Sequence, residues 1–354
     1  MDKRLAQLTD WVRDNWDSLK SQSPAPDKLD VVSGDASFRR YFRAQSGPSS
    51  YIAVDAPPEK EDSQPFVEIG QYWFAAGIRV PNILVADLSR GFMLLEDFGD
   101  KQLLMQLELD KRTAQPEPYR AALRTLLALQ AVNSDCLPVY DNSVLMREMS
   151  LFDQWFLSEC LHEDLNLWMP LLSEVYQRLS LAAQSQHQVT VHRDFHSRNL
   201  MPLVSVDSES GALGVIDYQD ALKGPVTYDL VSLLRDSYID WPDDLVAQWV
   251  ESYRQQLLEL GIRLPDSDSF LRDFDLMGMQ RQLKVVGIFC RLWLRDGKSG
   301  YIKDIPRTFG YLHRAARRHA DFHRLAQALD QLVPKLKAHA LLGPHFEGYS
   351  QCVP

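Results

Sequence analysis

The stretch that decides the reading is VHRDFHSRNLM, Val191 to Met201. In it Asp194 and Asn199, five residues apart, put a carboxylate and a carboxamide on one short loop. Phosphoryl transfer needs such a pair: the carboxylate orients an attacking hydroxyl and accepts its proton, and the carboxamide oxygen is a neutral ligand for magnesium. Further along, GVIDYQDALKG (Gly214 to Gly224) reads as a buried strand, Gly214 to Ile216, that delivers Asp217 at its end. The eighteen residues from Asn199 to Asp217 leave room for a hairpin, built from the run Leu200 to Val204, the polar turn SVDSESG and the run Ala212 to Ile216. Asp194 is therefore the candidate catalytic carboxylate, and Asn199 and Asp217 are the candidate metal ligands.

The HRDFHSRN loop, the IDYQDA segment and the later TYDLVSLLRD (Thr227 to Asp236) resemble the aminoglycoside phosphotransferase and choline kinase branch of the protein-kinase-like fold. SGDASFRRYFR (Ser33 to Arg43), DAPPE (Asp55 to Glu59) and LLEDFGD (Leu94 to Asp100) resemble, more closely, the bacterial sugar kinases of cell-wall recycling. Those enzymes phosphorylate the anomeric hydroxyl of N-acetylmuramate and N-acetylglucosamine. The resemblance covers roughly residues 28 to 320 and rests on several separated motifs, which argues against coincidence. It implies an α+β, two-lobed protein-kinase-like fold: a small N-lobe with an antiparallel sheet over residues 1–99, a hinge at 96–99, and a mainly helical C-lobe over 100–354. It also implies ATP and Mg2+ as cofactors and an amino sugar as the small-molecule partner. Within catalysis the alternative is an aminoglycoside or choline-type kinase, and outside it a nucleotide-binding pseudokinase.

Taken in order, Leu5, Leu8, Val12, Trp16 and Leu19 recur at helical spacing and predict a leading helix over 2–20. Leu29 to Val32 and Phe38 to Ala44 read as strands joined by SGDAS, so that Ser33, Gly34, Asp35, Ala36 and Ser37 can turn backbone N–H groups toward a phosphate. The third strand, YIAVDAPPE, lacks the lysine that the resemblance leads one to expect there, and this absence motivates the pseudokinase alternative. Arg39, Arg40, Arg43 or Lys60 can replace its charge, and alternation leaves the choice among them open. A helix starts at Asp62 or Ser63 with Pro65 in its first turn and ends at Gly77. The resemblance makes Glu68 the partner of a phosphate-contacting cation, and Glu96 and Phe98 part of the adenine-binding hinge. It also places Glu148, Asp153, Arg198 and Asp220 among the candidates for contact with the acceptor, and gives Asp229 the task of bracing the catalytic loop. Further helices are predicted at 100–109, 117–132, 144–161, 245–260, 269–295 and 307–341, the last broken near Asp321.

At 354 residues the chain is long enough for two lobes, and its 45% hydrophobic and 24% charged residues are those of a soluble globular protein. No apolar run reaches the ~20 residues of a spanning helix, and MDKRLAQLTDWVRD lacks a signal-peptide core, so a cytoplasmic protein with no membrane partner is expected, acting as a monomer. The formal net charge of -10 argues against a nucleic-acid surface. Arg314, Arg317, Arg318 and Arg324 crowd one stretch and read as a solvated helix face. Cys136, Cys160, Cys290 and Cys352 show no metal or disulfide spacing and read as apolar filler. DGKSG (Asp296 to Gly300) has Leu292 where a phosphate-binding loop of the GxxxxGK type needs glycine, and reads as a helix-ending turn. His192 and His196 lack the helical presentation of a zinc pair.

Overall fold

The computed structural model describes residues 2–19, 23–34, 38–110, 117–203 and 213–349. In chain order, helix α1 (Lys3–Asn15) precedes strands β1 (Asp30–Gly34), β2 (Arg40–Ser46) and β3 (Ser49–Asp55), and helix α2 (Gln64–Ala75) leads to β4 (Ile83–Asp87) and β5 (Phe92–Glu96). Helices α3 (Leu103–Asp110), α4 (Glu117–Gln130) and α5 (Asn142–Leu151) follow, then a π-helical segment over Phe152–Cys160 and helix α6 (Leu165–Ser185). Short strands β6 (Gln188–Val191), β7 (Leu200–Pro202), β8 (Leu213–Val215) and β9 (Leu222–Pro225) flank the loops of interest. Helices α7 (Tyr228–Leu234), α8 (Asp243–Glu259), α9 (Ser267–Leu294), α10 (Ile305–Arg318), α11 (His323–Ala338) and α12 (Gly343–Phe346) complete the chain. Its contacts divide it into two compact units, residues 1–125 with 198–221, and residues 126–197 with 222–354. The 96–99 segment lies inside the first of these.

In the first unit the five strands form an antiparallel sheet in the order β1-β2-β3-β5-β4. Helix α1 starts where the Asp2 carboxylate accepts the N–H groups of Arg4 and Leu5, each at 3.1 Å. Its Leu8, Trp11 and Val12, with Trp16 just beyond, pack on Leu29, Phe42, Ala44, Ala53, Phe92 and Leu94. Burying each large apolar side chain of this kind contributes roughly 1.5–3 kcal/mol, which is why the helical spacing is legible. At the end of β3 the fully buried Asp55 accepts from Arg4 Nε at 2.8 Å and Arg40 Nε at 3.0 Å, tying α1 to the sheet. The expected hairpin is present as β7 and β8, with Leu200 opposite Val215 and Pro202 opposite Leu213; its turn falls outside the described residues. The Val215 N–H donates to the Arg79 carbonyl at 2.8 Å, which anchors the hairpin within this unit.

The second unit is built on α9, whose side chains are buried on almost every face from Phe270 to Leu292. It packs against α5, the π-helical segment, α6, α7, α8 and α10. Gly287 permits the approach of α5, because a Cβ there would collide with the Leu151 backbone. The arginine-rich stretch faces solvent as read, with Arg318 and Arg324 exposed and Arg314 and Arg317 half-buried, but its cations are also engaged in ion pairs. Arg318 pairs with the buried Asp275 at 2.8 Å, Arg317 with Asp330, and Arg324 with Glu174 at 3.0 Å. Asp275 also accepts from Arg235 at 2.5 Å, so these cations satisfy a carboxylate that the core would otherwise isolate. Cys160 and Cys290 are buried as expected, whereas Cys136 is exposed and Cys352 lies outside the described residues. The DGKSG stretch does end a helix, with Gly297 at φ +68° just past α9.

Candidate active site

In the second unit, β6 pairs with β9 and delivers His192 to Ser197, half of the HRD loop. Two carboxylates pin this stretch at its ends. Asp229, in the first turn of α7, accepts the His192 N–H at 2.6 Å and the Arg193 N–H at 3.0 Å, which is the bracing expected of it. Asp236, just beyond α7, accepts the Ser197 N–H at 2.9 Å and its hydroxyl at 2.5 Å. Between these anchors Arg193 adopts φ +79°, a conformation that a non-glycine residue holds only where its surroundings impose it. Asp194 follows, half-buried, with its N–H donated to His192 Nδ1 at 3.2 Å.

Burial alone would push the Asp194 carboxyl up, but the positive charges of Lys284, His196, Arg193 and Arg281 outweigh it and hold the group at about 2. His196 is itself pushed down by burial against the pull of Asp236 and Asp194, so the lasting cations at neutral pH are Lys284, Arg193 and Arg281. Two of these cations share one counterion. Glu148 of α5 accepts from Arg193 and from Lys284 Nζ, the latter at 3.2 Å, and also accepts a hydrogen bond from the Tyr140 hydroxyl. Burial opposes charge on Glu148, and Lys284 and Arg193 more than compensate, so it stays below its usual range. Asp229 is pushed up to about 6, chiefly by burial, despite its two backbone donors.

In the first unit the loop's other residues run into the β7–β8 hairpin. The Asn199 carbonyl accepts the Ile216 N–H at 3.1 Å, and Asn199 Nδ2 donates to Asp217 Oδ2 at 3.3 Å. Asp217 sits at φ +66°, a second non-glycine residue in the left-handed region. Gln219 Nε2 donates to Asp217 Oδ1 at 2.9 Å, while its buried Oε1 meets no donor among the described residues. These oxygens are hard donors. No cluster of three or more His, Cys, Asp or Glu suited to a metal occurs among the described residues, so the protein can supply a carboxylate and a carboxamide and leave other positions open. That donor set fits magnesium, which keeps waters and phosphate oxygens in its shell, and does not resemble a zinc cage. Tyr218, next to Asp217, stacks on Phe66 at 4.8 Å and lies against Gly70 of α2, which fixes the segment from behind.

Several residues named from the sequence have other occupations. Glu148 and Asp153, read as acceptor ligands, are both buried: Glu148 lies in the ion cluster, and Asp153 accepts the Tyr176 hydroxyl at 2.9 Å. Glu68 is exposed and receives the Gln64 amide at 2.7 Å; Arg39 is met instead by Glu61 at 3.3 Å. Arg43 is held by Asp97 at 2.7 Å and Asp100 at 2.8 Å, and Arg40 by Asp55 and Asp2. Arg39 also lies 5.3 Å over the Phe66 ring, the ring that Tyr218 stacks upon, and Lys60 lies 5.0 Å over Phe38. Glu96 accepts from Arg79 Nη1 at 2.6 Å, and Arg79 in turn covers the Phe98 ring at 4.7 Å. Arg198 and Asp220 lie in the first unit, Asp220 exposed. Ser33 and Gly34 close β1, and Asp35, Ala36 and Ser37 lie outside the described residues. Lys284 and Arg281 went unnamed in the sequence reading, because a cation inside a long apolar helix gives no local signal of what it faces.

A family model described as "Phosphotransferase enzyme family" matches residues 28–267. An N-acetylmuramate/N-acetylglucosamine kinase of Pseudomonas aeruginosa is 41% identical over 347 residues, covering 94% of this chain and 97% of that protein. A protein of the same description from Pseudomonas putida is 38% identical over 353 residues, covering 95% and 99%. Among solved structures, the ADP-bound aminoglycoside phosphotransferase APH(2'')-Ib superposes with a TM-score of 0.56 at 14% identity, covering 87% of this chain and 97% of that one, a likeness of fold.

Proposed function

The chain belongs to the phosphotransferase enzyme family, and from that premise we propose that it is an ATP-dependent kinase for the anomeric hydroxyl of N-acetylmuramate and N-acetylglucosamine. The observation that carries the chemistry is the Asp194 carboxyl, pinned between two anchors and held ionised by the cations around it. In the proposed reaction Asp194 accepts a hydrogen bond from the sugar's anomeric O–H and orients the oxygen toward the γ-phosphorus. A bond forms between that oxygen and phosphorus, the bond to the β,γ-bridging oxygen breaks, ADP leaves, and the hydroxyl proton passes to Asp194 and on to solvent. A carboxylate at about 2 is a weak base, which suits a loose transition state in which proton transfer comes late and positioning does most of the work. The anomeric hydroxyl is also more acidic than an ordinary alcohol, which lowers the demand further.

Asn199 and Asp217 would hold magnesium, which when bound neutralises charge on the phosphates. The ADP in the structurally similar phosphotransferase supports ATP as donor. The identity with curated relatives over nearly the whole chain supports the amino-sugar acceptor over an aminoglycoside or choline. The reading extends to a cytoplasmic enzyme acting as a monomer. A panel of acceptors followed by phosphorus NMR tests it. Sugar 1-phosphates should form from both N-acetylmuramate and N-acetylglucosamine, and preferential transfer to kanamycin-like amines or choline would overturn it.

A further inference from the structure

Arg281 stands midway along α9, only 3% exposed, among side chains that pack the core of the second unit. Its Nη1 is buried and meets no hydrogen-bond acceptor among the described residues, and no described ion pair includes it. Lys284, one turn further along the same helix face, differs in this respect: it is matched by Glu148 at 3.2 Å and by the Tyr228 hydroxyl at 3.1 Å. Asp194 acts on this guanidinium only through space, and a buried charged donor left without a hydrogen-bonded acceptor is costly to retain, so Nη1 is free to take an anionic acceptor that arrives from outside. Its surroundings say where. Arg281 is close enough to Asp194 and His196 to act on both electrostatically, and His196 Nδ1 is likewise buried without a partner among the described residues. Orphaned donors and acceptors gathered beside an orienting carboxylate are what a polar ligand would satisfy.

We infer that Arg281 binds the carboxylate of the acid sugar and so sets the preference between the two acceptors. This rests on the amino-sugar reading above. N-acetylmuramate is N-acetylglucosamine carrying a lactic acid ether, so the two acceptors differ by one anionic group, and this guanidinium is the cation of the cluster with no hydrogen-bonded anion among the described residues. The alternative anion, the phosphoryl group in transfer, is common to both acceptors and would give no preference. Arginine suits the task because its planar fork matches a carboxylate with two parallel N–H bonds.

The test compares kcat/KM for the two sugars in the wild-type enzyme, R281M, R281Q and R281K. Methionine keeps length and removes a buried charge, so R281M should fold and melt no lower than wild type. The ratio of kcat/KM for N-acetylmuramate over N-acetylglucosamine should fall about 10- to 100-fold in R281M, the usual yield of a charge-assisted hydrogen bond, and recover in part in R281K. The rise in melting temperature produced by saturating N-acetylmuramate should shrink in R281M to that produced by N-acetylglucosamine. Should R281M fail to fold, the ratio in R281Q decides in its place. An unchanged ratio, whether both sugars suffer alike or neither does, overturns the assignment of Arg281. Transfer by the wild-type enzyme to neither sugar would instead overturn the reading on which it rests.

Discussion

In the role proposed for it, Asp194 combines two demands that pull against each other, accessibility to a hydroxyl and retention of charge in a half-buried loop. The cations beneath it resolve the conflict. Asp194→Asn keeps the size and the backbone donors of the loop, so it should fold normally and lose about 10²–10⁴-fold in turnover; near-normal turnover would remove Asp194 from the chemistry. Asp217→Ala should show its defect chiefly as a raised magnesium requirement in a metal titration, because it deletes a charged oxygen donor. Full activity at ordinary magnesium would place the metal elsewhere. Asp229 and Asp194 bear opposite pH signatures. The folded-state value of Asp194, about 2, lies below its ordinary 3.8, so its stabilisation is present above 3.8 and is lost as pH falls through about 2. That of Asp229, about 6, lies above 3.8, so its contribution is full below 3.8 and is lost as pH rises through about 6. Melting temperatures of Asp229→Asn and wild type should therefore change relative to each other between about pH 4 and pH 6, wild type losing ground as pH rises. Parallel curves over that window would contradict the buried, raised carboxyl.

At the scale of elements, α9 is the framework on which the second unit depends, and its closest approach is at Gly287. Gly287→Ala should destabilise the protein by roughly 1–3 kcal/mol in urea denaturation, because the added methyl meets the α5 backbone, which cannot rotate aside as a side chain could. A wild-type midpoint would show that α5 and α9 pack less closely. Elements with a strong periodic signal were legible from sequence: α1 from its apolar spacing, α2 from Pro65 and Gly77, and the β7–β8 hairpin from two apolar runs around a polar turn. Helix α6 gave no such signal, since Pro170 interrupts its first turns and Leu167 and Leu181 are exposed. The predicted helix over 144–161 is real in extent but changes winding at Phe152, where Leu161 N–H reaches back to the Phe156 carbonyl at 3.1 Å. The candidate residues Asp194, Asn199 and Asp217 were nominated for a different reason, the spacing of a carboxylate, a carboxamide and a second carboxylate along one stretch, and the structure places Asn199 Nδ2 3.3 Å from Asp217 Oδ2. The Glu148, Arg193 and Lys284 cluster joins three distant segments, and partner choice of that kind is fixed by tertiary packing alone.

At the scale of the whole molecule, the proposed kinase takes the anomeric oxygen as acceptor, and the protein-kinase-like fold does not by itself select that oxygen. Antibiotic and choline kinases share the fold, so the choice of acceptor class is carried by side chains and not by the fold, and the relatives that cover nearly all of the chain point to amino sugars. A sugar whose anomeric hydroxyl is capped keeps every other hydroxyl, the acetamide and the ring, and so isolates the one group the account requires. The most direct measurement incubates the enzyme, ATP and magnesium with N-acetylglucosamine and, in parallel, with its methyl glycoside, and follows both by phosphorus NMR. The free sugar should yield a sugar 1-phosphate and the methyl glycoside no phosphorylated product; a phosphate ester formed on the methyl glycoside would contradict the account.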